Sequence, residues 1–132
     1  MNTTANTANA YKNQQILTAS PAQLTLMLYN GAIKFVHESI QAIGEKNLPK
    51  AHAANMRAQD IVREFMVTLD MQYEISQDWY RLYEFIEHCL IEGNIKKDVS
   101  QLHTAAAFLT DMREAWLVAM KQAAQLPDVV NK

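Results

Sequence analysis

Apolar residues recur along most of this chain at intervals of three and four, which is the spacing of one face of an α-helix. Over residues 21–43, Leu24, Leu28, Ala32 and Phe35 make one stripe, and Leu26, Ile33 and Ile40 make a second on a different side. Ser20 is placed to cap this helix, Pro21 suits its first position, and Gln23 has capping-box spacing. A helix that is apolar on two sides must be covered twice, by two helices of its own chain or by one helix and another protein.

Three more helices follow. Gly44 is a candidate stop for the first, and Pro49 opens the second, expected over 49–69, with a seam of Ala51, Ala54, Ala58, Ile61, Phe65 and Leu69. Ser76 is the expected cap of the third helix, over 76–92, with a stripe of Trp79, Leu82, Ile86, Cys89 and Leu90 and a stop at Gly93-Asn94. The fourth begins after Asp98, which has capping-box spacing to Gln101, and runs along Leu102, Ala105, Leu109, Met112, Trp116, Met120 and Ala123 until Pro127. Short links place sequential helices antiparallel. The expected fold is all-α: an antiparallel four-helix bundle over 20–126, with a flexible N-terminal arm at 1–19 and a loose tail at 127–132. The arm is rich in Asn, Thr and Ala, but Tyr11, Ile16 and Leu17 could dock it.

Only three Gly and three Pro interrupt the chain, which favours long helices over a turn-rich β fold. The formal net charge of -2 supplies no basic excess for nucleic acid. No apolar run approaches the roughly 18 residues of a membrane span, so no membrane insertion is expected. The first ten residues lack the charged and apolar regions of a signal peptide. A single cysteine, Cys89, rules out an internal disulfide and fits a reducing compartment. These features together point to a soluble cytoplasmic protein.

Catalytic chemistry finds no support. The histidines are His37, His52, His88 and His103, and none follows a Glu at the spacing of a di-iron bundle. His37-Glu38 lacks the second His of a zinc helix motif. His52 has some look of a phosphotransfer histidine, but Asn55 and Met56 stand where a Lys and a Gly would be expected. Cys89 lies on an apolar stripe and reads as a small hydrophobe. No catalytic residues, metal or cofactor are expected.

What remains is surplus apolar surface. The chain has seven methionines, a residue that adapts its shape in cores and binding grooves alike. Met56, Val62 and Met66 on the second helix, Phe85 on the third, and Phe108 and Val118 on the fourth fall off the assigned stripes. If they cluster, they form a groove for a partner's amphipathic helix. Met56, Val62, Met66, Phe85 and Phe108 are the groove candidates from periodicity.

Several segments also carry a resemblance, in order along nearly the whole chain. They are A-Y-K-N at 10–13, T-A-S-P-A-Q-L-T-L-M-L-Y-N-G-A at 18–32, R-A-Q-D-I-V at 57–62 and T-L-D at 68–70. L-Y-E-F at 82–85, N-I-K-K-D at 94–98 and R-E-A-W at 113–116 complete the set. With these the chain resembles the flagellar secretion chaperone family, FliS. It departs from the family's usual pattern at His88-Cys89, where an Arg pair is common, and at Gly93-Asn94, where Ala-Asn is usual.

The resemblance implies a helical bundle that binds the C-terminal segment of flagellin and covers its apolar seams, without ATP or bond-making chemistry. A component of the flagellar export gate is a candidate second partner. The signature residues Ser20, Pro21, Leu28, Tyr29, Asn30, Tyr83, Asn94 and Trp116 are expected to be mostly structural, with Tyr83 and Trp116 in packing and Asn94 and Asp98 in capping. The family further implies that Tyr11, Ile16 and Leu17 lie over the groove until cargo arrives. Two other classes compete: a homodimeric helical scaffold whose apolar face pairs with itself, and a phosphotransfer module built on His52.

Overall fold

A computed structural model describes residues 3–125. The tail expected over 127–132, with Pro127, lies outside the described residues. There are five helices: α1 (Thr3–Thr18), α2 (Pro21–Gly44), α3 (Leu48–Thr68), α4 (Glu74–Lys96) and α5 (Val99–Gln125). Helices α2 to α5 form the bundle. Each packs on its neighbour in the chain, and α5 returns to pack on α2 and close the ring.

Helix α2 starts as its sequence dictates. The Ser20 hydroxyl accepts from the Gln23 amide, and the Gln23 side chain accepts from the Ser20 amide, with Pro21 in the first turn. Its core-facing line runs through Tyr29, Ala32, Ile33, Val36, Ser39 and Ala42. The helix is therefore turned so that Leu24 and Leu28 sit at its edge, each more than a third exposed. Ala51, Ala54 and Ala58 at the start of α3 are buried, as small residues at a close crossing.

Helix ends depart from expectation for identifiable reasons. The left-handed backbone after α2 belongs to Lys46, not Gly44, and the Asn47 amide closes that turn on the Ala42 carbonyl. Helix α4 begins at Glu74. Ser76 lies inside its first turn, buried, and its hydroxyl donates to the Asp70 carbonyl (2.6 Å), pinning the link from α3. The same helix runs through Gly93-Asn94 to a left-handed Lys97, whose amide bonds the Gly93 carbonyl.

Gly93 is a close-approach residue rather than a stop. A Cβ there would stand 2.6 Å from Leu102 Cδ2 and 3.2 Å from Gln101 Cβ. Leu102 is wholly buried and cannot swing away. Gly93→Ala should lower stability by up to about 2 kcal/mol, because an overpacking cost of about 1–3 kcal/mol opposes a helix-propensity gain of about 1 kcal/mol. A lower urea midpoint at unchanged slope would show it; a raised midpoint would mean that the two helices separate easily.

Asn94 is likewise no cap. It sits within α4, its Nδ2 2.9 Å from His52 Nδ1 and its Oδ1 accepting from Lys97 Nζ, so it ties the start of α3 to the end of α4. Asp98 does act at a helix start. Its carboxylate accepts from the Ser100 amide and hydroxyl, and the Ser100 hydroxyl chiefly holds its pKa below the usual carboxylate value. Its own amide goes to the Gly93 carbonyl.

One core feature was not expected. Asn55 and Gln59 are buried on α3. Asn55 Nδ2 donates to the Leu90 carbonyl, Gln59 Nε2 to Asn55 Oδ1, Arg63 to Gln59 Oε1, and Arg63 Nε to Glu87 Oε2. This chain of donors satisfies the amides from the core out to the surface, which is the condition for burying them at small cost.

Within the expected N-terminal arm, residues 3–18 form helix α1, as Ala, Gln and Lys permit. It has no apolar face to bury, and every described side chain on it is exposed, including Tyr11, Ile16 and Leu17. These three therefore do not dock on the bundle in this structure.

Candidate functional site

The ends of α3 and α5 meet the starts of α2 and α4 at one end of the bundle, where the helices do not fill the space between them. A pocket of about 330 Å³ remains, lined mainly by Tyr29, Phe65, Leu69, Trp79, Tyr83 and Trp116. Its floor is an aromatic stack. The Tyr29 and Phe65 rings lie 4.5 Å apart, and Phe65 and Tyr83 lie 5.3 Å apart, at small interplanar angles. The Tyr29 and Tyr83 hydroxyls meet at 2.6 Å. Burial raises the pKa of both, and both stay protonated at any physiological pH.

Trp116 forms one wall. Its indole Nε1 donates to the Ala22 carbonyl at 3.0 Å, tying α5 to the first turn of α2. Further round the same end, Asn30 Oδ1 accepts from Arg113 Nη1.

A second hollow of about 280 Å³ follows along the α4–α5 seam, lined by Trp79, Leu82, Phe108, Asp111, Met112 and Ala115. Trp79 and Ala115 line both hollows, so the two lie side by side. Beyond them Phe85 packs edge-on against Phe108, ring centres 5.1 Å apart. The result is an apolar track from the bundle end, over Trp79, to the Phe85–Phe108 pair. Ile75, Leu82 and Phe85 stand exposed along it, Phe85 by 43 %. Such a track suits an amphipathic segment laid into a groove.

The five groove candidates divide. Phe85 and Phe108 come together on the track. Val62 does not: it is fully buried in the core beside α3's other inward residues. Met66 lies in a separate shallow hollow between α3 and α4 with Arg63, Val67, Tyr80 and Glu87. Met56 is half-buried on α3, about 15 Å along the helix from Met66 at 1.5 Å per residue.

Periodicity missed Met112 and Trp79 as track residues because both counted as core stripe. The available signal was the width of the apolar arc on α4. Trp79, Leu82, Tyr83, Phe85, Ile86, Cys89 and Leu90 cover more of the helix than two neighbours can bury.

The signature residues sort by burial. Tyr29 and Tyr83 are core, Ser20 and Pro21 form the helix start, Trp116 and Asn30 hold α5 to α2, and Leu28 is half-exposed. Among the described residues no cluster of His, Cys, Asp or Glu could hold a metal, and no helix is long and apolar enough to cross a membrane. Cys89 is buried, which pushes its thiol pKa up and away from reactivity.

Fold and site together define an all-α bundle that presents an apolar track. A family model described as "Flagellar protein FliS" matches residues 4–123. The chain is 36% identical over 120 residues to the flagellar secretion chaperone FliS of Bacillus subtilis (strain 168), covering 91% of this chain and 87% of that protein. It is 26% identical over 113 residues to the FliS chaperone of Vibrio cholerae, covering 81% and 83%. It is 23% identical over 118 residues to that of Escherichia coli, covering 87% of each. The chain belongs to the FliS family of flagellar secretion chaperones.

Proposed function

We propose that this protein binds the C-terminal helical segment of flagellin in the cytoplasm, prevents its premature polymerisation and delivers it to the flagellar export apparatus. The run of neighbouring apolar hollows from the bundle end to Phe85 and Phe108 carries this reading. A segment that polymerises through apolar seams is kept apart when those seams are covered. The mechanism is competitive burial, with no bond made or broken. Ordering the segment costs roughly 2–5 kcal/mol, which weakens binding and favours later release. A component of the export gate is the second partner proposed for the loaded complex.

Calorimetric titration with a peptide of the flagellin C-terminal segment tests this. One-to-one saturation with a negative heat-capacity change is expected, as apolar burial requires. No binding at micromolar concentrations, together with a tight dimer by sedimentation, would instead assign the exposed face of α4 to self-association.

A further inference from the structure

One charged residue, Asp111, stands among the side chains that line the two neighbouring hollows, and all the others are uncharged. It lies on α5 with Phe108, Met112 and Ala115, in the hollow that α4 lines with Trp79 and Leu82. Asp111 is exposed, and among the described residues no cation pairs with it. Its own helix supplies no counter-charge: one turn away stand Ala107, Phe108, Glu114 and Ala115. Arg113 is held by Asn30 and Glu114, and Arg81 of α4 lies 4.0 Å from Asp78.

In the free protein water solvates this carboxylate. The balance changes once a segment is laid over Trp79 and Phe108. Covering the hollow strips water from the anion, and an anion left without a partner in apolar surroundings is costly. A segment that brings a basic head to this place replaces the lost hydration with an ion pair, while its methylene stem stays on the apolar wall.

The Trp79 indole N–H is a second polar group here without a partner among the described residues. It is not sealed in, since Arg113 Nε is the buried side-chain atom left unpartnered among them. The indole makes no hydrogen bond to Asp111. As a donor it accepts nothing from a basic head and serves any carbonyl of a segment alike. Discrimination between side chains therefore falls to the carboxylate.

We infer that Asp111 is a selectivity point of the track, which admits an arginine or lysine of the bound segment and disfavours an apolar or acidic residue there. The inference rests on the proposed binding of a flagellin segment and names the charge that the segment carries over the α4–α5 seam.

The test is a double-mutant cycle by calorimetry on the full chain. The wild-type protein is titrated with a synthetic peptide of the flagellin C-terminal segment, and then with peptides in which each Arg or Lys is changed to Gln, one at a time. Gln keeps a comparable helix propensity, so the change removes the charge alone. Asp111→Asn protein is titrated with the same set. One peptide change is expected to weaken wild-type binding about 10-fold at low salt, the scale of a close interfacial charge pair. Asp111→Asn should weaken binding of the unaltered peptide to a similar extent, and the two changes together should cost little more than either. Asp111→Lys should bind the peptide with Glu at that one position better than it binds the unaltered peptide.

If no basic residue of the peptide matters to the wild-type protein, or if the two losses simply add, the selectivity point is overturned while the chaperone reading stands. Absence of wild-type binding to the unaltered peptide would overturn both. Asp111 is exposed and makes no side-chain bond among the described residues, so its substitution leaves the bundle intact.

Discussion

Phe85→Asp is expected to weaken binding of the flagellin segment by on the order of 100-fold while leaving the helical signal and melting temperature nearly unchanged. Phe85 is 43 % exposed in the free protein, so the fold depends on its burial far less than on that of a fully enclosed core residue. Its ring contributes an edge-on contact with Phe108 on the far side of the α4–α5 seam. In a complex, a partner laid along the track would cover this position. A carboxylate there would have to leave water when the segment binds, and Asp111 beside the same hollow adds like charge to the track. Titration of the variant, paired with circular dichroism, checks both halves of the expectation. An unfolded variant would mean that the Phe85–Phe108 pair is structural. Unchanged affinity would remove this end of the track from the interface.

Val62→Asp should do the opposite. Val62 has no exposed surface and sits in the central cluster with Tyr29, Phe65, Ile86 and Leu109. Replacing it removes apolar burial and introduces a charge with no partner inside the bundle. The combined loss is about 4 kcal/mol or more, against a total stability of about 5–15 kcal/mol for a domain of this kind. The cooperative thermal transition should be strongly lowered or lost. Buried, the new carboxyl would favour its neutral form, so its folded-state pKa would rise above the unfolded value. The deficit should then shrink as pH falls toward about 4, the ordinary carboxylate range. A variant that melts like wild type at neutral pH but no longer binds cargo would place Val62 at the interface after all. The two Asp substitutions together separate core from track on residues that the periodicity of the chain treats alike.

That pair also shows how far the sequence could be read. Both Val62 and Phe85 fall off the simplest stripe of their helices. The spacing of apolar residues gives an angle around a helix axis, and it does not give where the neighbouring axes lie. On α3 the sector that includes Val62 turns inward. On α4 the sector that includes Phe85 turns to the seam with α5 and stays partly open. Similarly, Leu24 and Leu28 belong to a stripe that continues through Ala32 and Phe35, yet the helix is rotated so that Tyr29 and Val36 join Ala32 in the core while the two leucines stay at the edge. Gly93 was a stop by local rules and is a packing glycine by contact with Leu102.

The sequence by itself determined the all-α class, the number of bundle helices, the Ser20-Pro21-Gln23 start and, through ordered segments, the family. These depend on local propensity, on near neighbours in the chain, or on residue identities in order. Only the tertiary structure decided which part of each apolar arc is core. It also decided that the described side chains of α1 stay exposed, and that Tyr29 and Tyr83, 54 residues apart, meet beside a pocket. Those outcomes depend on how four helices rotate against one another, which only the simultaneous packing of all their side chains fixes.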